Sequence, residues 1–335
     1  MKVKPALLLV VILGFSCTPS VQDRAEVKTF PELSGPYLGQ EPPGMEPVLF
    51  APGIVSTGLD ELNAVFLPGG KELIFSVTSG QMKWALVTMR EENGRWTAPE
   101  VAPFSGVYGD VDPCVSPDGK RLYFCSDRPR SGEGEAENDY DIWYVEKTDG
   151  GWSEAVNLGP PVNSDANEFY PSFASDGTIY FQSWRPGGIG QADIYRSRLV
   201  GGRYTEVECL PEAVNSVEFE GDAFIAPDES YIIVSTYRES DNHGFSDLYI
   251  SFRDEADGWS ELINMGSKIN SSGGENCQIL SPCGKHLFFT GRRSRDDLKT
   301  PLTYKDLQEI QNSPLNGGGD IYWVDARVIE ALRPE

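Results

Sequence analysis

Val115-Ser116-Pro117-Asp118-Gly119-Lys120-Arg121-Leu122-Tyr123-Phe124 is the stretch that decides the fold. Its Pro-Asp-Gly centre specifies a tight turn, and the apolar residues on either side specify the two strands of a hairpin. The same stretch recurs in altered form as FLPGGKELIF at 66–75, FASDGTIYF at 173–181, IAPDESYIIV at 225–234 and LSPCGKHLFF at 280–289. Measured at Pro68, Pro117, Ser175, Pro227 and Pro282, successive copies lie 49, 58, 52 and 55 residues apart. A period of about 50 residues matches one four-stranded blade of a β-propeller.

Each unit continues alike. A third strand carries Asp141-Ile142-Trp143-Tyr144, Asp193-Ile194-Tyr195, Asp247-Leu248-Tyr249 or Asp320-Ile321-Tyr322. A glycine-containing turn and an aromatic follow, at Trp96, Trp152, Tyr204 and Trp259. A fourth strand ends in Asn157-Leu158-Gly159 or Asn264-Met265-Gly266. The last unit has no fourth strand, whereas Glu46–Pro52 ahead of the first unit resembles one. Ring closure is the economical inference, because it leaves no open sheet edge. The expectation is an all-β chain: a five-bladed β-propeller of four-stranded antiparallel blades whose N-terminal strand closes the last blade. Six blades is the alternative, if the N-terminal region hides a degenerate repeat.

The elements Asn-Ser…Glu-x-x-Pro, Ser-Pro-Asp-Gly-Lys, Ser-x-Arg, Asp-Ile-Tyr, Gly-x-Trp and Asn-Leu-Gly resemble the WD-like repeats of TolB-type propellers. Such repeats occur in many bacterial envelope lipoproteins, and the resemblance covers about residues 46–325. It implies a fold more than a function, because one fold hosts many functions.

The N-terminus reads as an export signal over residues 1–17. Lys2 and Lys4 precede an apolar run from Ala6 to Phe15, too short to span a bilayer. Gly14-Phe15-Ser16-Cys17 resembles a lipobox, so Cys17 is the expected lipidation site; Leu13 and Phe15 depart from the usual pattern. A simple secretory signal cleaved nearby is the alternative. Residues 18–44 read as a flexible tether. Residues 45–335 then form a single propeller domain with a helical insertion near 296–316. The expected location is the bacterial cell envelope, lipid-anchored and facing the periplasm or the exterior.

A net charge of −23 argues against nucleic acid and against docking on anionic lipid. Membrane contact is therefore expected only through the anchor, and the chain is expected to be a monomer. Apart from Cys17 there are five cysteines, whose spacings match no zinc site. Cys114 and Cys125 flank one hairpin; buried free thiols and a bridge both remain open.

With strands lettered a to d from axis to rim, the a–b and c–d turns share one face. The d–a and b–c loops share the other. The b–c loops are long, at about 126–140, 183–192, 235–246 and 290–319. Function concentrates on such loops. In the longest, Thr303 to Asp306 reads as a capping box that starts a short helix at about 304–311.

Seven residues before each turn stands an acid: Glu61, Asp110, Glu168, Glu220 and Glu275. This position is the entry of strand a on the loop face. The five carboxylates are therefore expected to ring the channel mouth, either as a site for a cation or cationic ligand or bonded to backbone N–H groups of their own loops. No cofactor is called for, although a divalent cation at this mouth is compatible with the ring, and no firm metal site is legible. Arg128, Arg185, Arg238 and Arg293 end strand b, and Asp141, Asp193, Asp247 and Asp320 open strand c; blade one carries Ser79 and Lys83 instead. The joint loss predicts direct structural ion pairs.

No catalytic residue is assigned. The two histidines, His243 and His286, stand in no recognisable motif, and no nucleophile elbow or zinc-protease helix appears. Carboxylate chemistry is the enzymatic option left, with Trp184 placed to stack on a sugar. Two functions follow. One is a non-catalytic, envelope-anchored binding or scaffolding module that engages an envelope protein or glycan through the long-loop face. The other is a carbohydrate-active enzyme, a glycan hydrolase or lyase using the mouth carboxylates with or without a cation.

Overall fold

The computed structural model describes residues 30–334 except 81, 82, 257, 297 and 299. The expected signal, Cys17 and residues 18–29 of the expected tether lie outside the described residues, whereas Tyr37 and the buried Leu38 in its later part pack on the propeller.

Five four-stranded antiparallel blades form the ring. Strands a, b and c are Asp60–Phe66, Glu72–Thr78 and Ala85–Glu92 in blade one. They are Asp110–Val115, Arg121–Ser126 and Asp141–Thr148 in blade two. In blade three they are Glu168–Phe173, Ile179–Ser183 and Asp193–Ser197. Blade four has Glu220–Ile225, Tyr231–Thr236 and Asp247–Phe252. Blade five has Glu275–Leu280, His286–Gly291 and Asp320–Asp325. Its fourth strand is Val48–Leu49, with Val48 opposite Trp323 and Leu49 opposite Tyr322. The chain therefore closes five blades, not six, with the N-terminal strand that the sequence supplies.

Closure rests on burial. Phe50 is fully buried with its ring 5.2 Å from Phe288 and 5.3 Å from Trp323. Ser56 Oγ donates to Ile321 O and accepts from Ile321 N, both at 3.0 Å. Ahead of the closing strand, Tyr37 packs edge-on against Phe66 of blade one and His286 of blade five. Leu33 O accepts from Trp96 N, so the chain joins the propeller on the face of the short turns.

Strands b and c are buried on both faces, as in Tyr231–Thr236 and Asp247–Phe252, because each sheet is sandwiched between two neighbours. Among the described residues, no helix is long and apolar enough to cross a membrane. The helix of the longest loop is Tyr304–Gln311, with the Thr303–Asp306 capping box formed. Cys114 and Cys125 are both free, buried thiols, and burial pushes Cys114 up to about 12.

Every innermost strand carries a β-bulge two residues past its acid. Asn63, Asp112, Tyr170, Asp222 and Cys277 there have φ between 49° and 56°. Left-handed backbone is costly outside glycine, so its recurrence in all five blades marks a feature of the repeat. The freed N–H groups bond across blades: Asn63 to Thr290 Oγ1, Asp112 to Ser76 Oγ and Asp222 to Gln182 Oε1.

Candidate functional site

The five acids stand at equivalent places where strand a begins, and all are buried, with exposures of 0–1%. Each is held by the loop before it. Ser164 N and Oγ both donate to Glu168, at 3.0 and 2.5 Å. Ser216 and Ser271 do the same for Glu220 and Glu275. Thr57 does so for Glu61. In blade two, Ser105 Oγ and Ser126 Oγ each donate to Asp110 at 2.7 Å. The preceding asparagine ties that loop to strand c. Asn163 bonds both backbone groups of Ile142, and Asn215 and Asn270 repeat this on Ile194 and Leu248.

The arginines pair with these same acids, not with the strand-c aspartates that sequence spacing suggests. Arg128 meets Asp110 at 2.6 Å, Arg185 meets Glu168 at 2.9 Å, Arg238 meets Glu220 at 3.0 Å and Arg293 meets Glu275 at 3.4 Å. The end of strand b is hydrogen-bonded beside the start of strand a, so the shorter reach leads inward. The guanidiniums also bond the loop before the acid, at Phe104 O, Val162 O, Val214 O and Ile269 O. The aspartates pin the b–c loops in another way. Asp193 accepts from Ile189 N and Gly190 N, and Asp320 from Leu315 N. Asp247 accepts from His243 N and Gly244 N. Asp141 is bound by Arg130 at 2.7 Å instead of Arg128.

Blade one breaks the pattern. Among the described residues Glu61 pairs with no arginine, because Ser79 stands where the others have one. Burial pushes it up to about 7 against the Thr57 hydrogen bonds, and the nearby Asp320 and Asp60 add to the rise. Burial is also the main cause that raises Glu168, Glu220 and Glu275, and there the serines and arginines oppose it.

Residues beside this frame differ from blade to blade. Just before the arginine position stand Thr78, Asp127, Trp184, Tyr237 and Arg292. Asp127 accepts from Gly109 N at 2.7 Å, and Arg292 pairs with Asp60 at 3.1 Å. Trp184 lies edge-on to Phe169 at 5.7 Å and reaches Phe219 of the next blade at 6.0 Å. Trp184 and Phe219 are each 40% exposed, Tyr237 50% and Phe245 87%. Trp184 alone was legible as a site residue. The signal for the others is variability inside an otherwise repeating position.

A second concavity opens on the opposite face. The five a–b turns surround an apolar funnel of about 420 Å³, lined by Phe66, Phe173, Phe224 and Ile279 and by the turn prolines. The sequence reading placed no site there, because apolar strand ends read as core.

No family model matches the chain, and no curated relative matches. Solved structures do. TolB from Acinetobacter baumannii is 15% identical with a TM-score of 0.45, covering 80% of this chain and 57% of its own. The chain thus spans little more than half the length of that TolB. The gluconolactonase XC5397 from Xanthomonas campestris is 14% identical with a TM-score of 0.44, covering 78% of this chain and 95% of its own. The NanB sialidase from Streptococcus pneumoniae is 13% identical with a TM-score of 0.40, covering 75% of this chain and 36% of its own. The five-bladed propeller that the repeats predict is present in the chain's own strand order.

Proposed function

We propose that this chain is a non-catalytic binding propeller of the bacterial envelope, engaging a protein or glycan through its long-loop face. One observation carries the reading. The repeated carboxylates are buried in structural bonds, whereas the blade-variable positions beside them expose Trp184, Phe219 and Tyr237. Aromatic faces of this kind give large contact area at low entropic cost and stack on sugar rings or side chains. The test is a binding screen of the whole chain against defined soluble glycans and envelope proteins, repeated with Trp184→Ala and Phe219→Ala. A ligand whose affinity falls in both variants supports the reading. Turnover of any glycan overturns it.

The inequivalence of Glu61 favours a second reading, a carbohydrate-active enzyme. Such an enzyme needs two acids in different environments, and Glu61 at about 7 beside Asp320 at about 6 supplies them. Its test is loss of any such turnover in Glu61→Gln.

A further inference from the structure

With the outer acids consumed by serines and arginines, the carboxylates left without a cationic partner are the next ones inward. Asp112 and Asp222 occupy the bulge position of blades two and four, on either side of Tyr170 of blade three. Tyr170 donates its hydroxyl hydrogen to Gln278 O of blade five at 2.7 Å, so its ring reaches from one blade to another. Asp112 is 5% exposed, and neither aspartate has a lysine, arginine or histidine bonded to it among the described residues. Each accepts one backbone N–H from the following blade, Asp112 from Tyr170 and Asp222 from Cys277. Cys277 Sγ adds a weak contact to Asp222 at 3.7 Å. Desolvation raises the pKa of both carboxylates, and Asp222 raises that of Asp112 further.

Two buried side-chain amides that bond the backbone at or next to these aspartates each leave an oxygen without a partner. Asn63, 2% exposed, uses its Nδ2 on Pro113 O, next to Asp112, and leaves Oδ1 unbonded. Gln278, fully buried, uses its Nε2 on the carbonyl of Asp222 and on Ile233 O and leaves Oε1 unbonded. Gln182 spends its Oε1 on Asp222 N and keeps an unbonded Nε2, a donor suited to a bound water. An unsatisfied buried polar atom costs about 1–3 kcal/mol, and several around two uncompensated carboxylates point to a missing positive charge.

We propose that the channel of this propeller binds one partly hydrated calcium ion between Asp112 and Asp222, with the Asn63 and Gln278 amide oxygens as neutral ligands. Calcium suits the donor set: every donor is a hard oxygen, two carboxylates balance the charge, and the ion accepts irregular geometry and retained water. Arg292, which acts on the neighbouring Cys277, is engaged by Asp60. The ion would tie blades two and four across the axis, and it does so whichever ligand the loop face takes.

The experiment is calorimetric titration of calcium chloride into the whole chain after chelator treatment, with melting followed in parallel. One ion per chain is expected, with a dissociation constant of about 10⁻³ M or tighter. At about one hundred times that concentration the melting midpoint rises by roughly 4 °C. The double variant Asp112→Asn/Asp222→Asn loses both effects and melts above the calcium-free wild type, because the repulsion is gone. If the double variant does not fold, Asp222→Asn alone is expected to weaken binding at least about tenfold. Glu61→Gln keeps full binding. The proposal is overturned by a wild type that takes up no calcium, by binding that survives the double variant, or by binding lost in Glu61→Gln instead.

Discussion

Replacing Glu61 by glutamine should stabilise the protein above neutral pH, although the same change at the equivalent position of another blade should destabilise it. Glu61 is 1% exposed, and no ion pair reaches it among the described residues. It lies at about 7 instead of the ordinary 4.5, burial being the first cause and Asp320 and Asp60 adding to it. The folded state thus holds this proton more tightly than the unfolded chain does. Its favourable contribution is complete below about 4.5 and is lost as the pH rises through about 7. At about 1.36 kcal/mol per pKa unit the loss approaches about 3 kcal/mol above neutrality. Glutamine is isosteric, carries no charge and can still accept from Thr57 N while donating to the Thr57 hydroxyl. Urea unfolding at about pH 8 should therefore show Glu61→Gln more stable by up to about 3 kcal/mol, and at about pH 4.5 the gain should vanish. Glu168→Gln strands Arg185 in a site where that arginine is 13% exposed, and it should cost about 3–5 kcal/mol at about pH 8. The reasoning is refuted if Glu61→Gln is no more stable than the parent at about pH 8, or if its effect is the same at both pH values.

Other outcomes follow from the same contacts. Arg185→Met alone should cost more stability than Arg185→Met combined with Glu168→Gln, because the single change leaves a buried carboxylate unpaired; denaturant midpoints of the double-mutant cycle check this. Phe50→Ala should lower stability by about 3–5 kcal/mol by emptying the aromatic seam that closes the ring, read from thermal or urea unfolding. Under native conditions Cys283 should be alkylated first among the propeller cysteines, as mass spectrometry would show. It is exposed, and Ser281, Tyr37 and Lys285 lower its pKa, whereas Cys114, Cys125 and Cys277 are buried.

Much of this architecture is written in the chain. The Pro-Asp-Gly turns and the Asp-Ile-Tyr strands repeat because each blade solves the same local problem, and a repeat of local solutions is visible one unit at a time. The missing fourth strand after Asp320 and the spare one at Glu46–Pro52 announced closure, since an open edge has to find a partner. The column of acids was equally plain. Its chemistry was not, because a carboxylate's role depends on which side chain crosses to it in space. Arg128 is nearer in sequence to Asp141 than to Asp110, yet strand pairing brings it to Asp110.

The bulge is the clearest case of what sequence withheld. Asn63, Asp112, Tyr170, Asp222 and Cys277 fall in one column, five residues before the turn, but no common side chain marks it. Their common left-handed backbone is a property of the strand pairs alone. Sequence by itself determined the repeating blades and the strand that closes them, because these follow from local turn chemistry and from counting edges, while the choice of five blades over six was left to the structure. Tertiary structure decided which carboxylates are spent and which are left uncompensated, because charge and burial are settled between blades, by residues far apart in the chain.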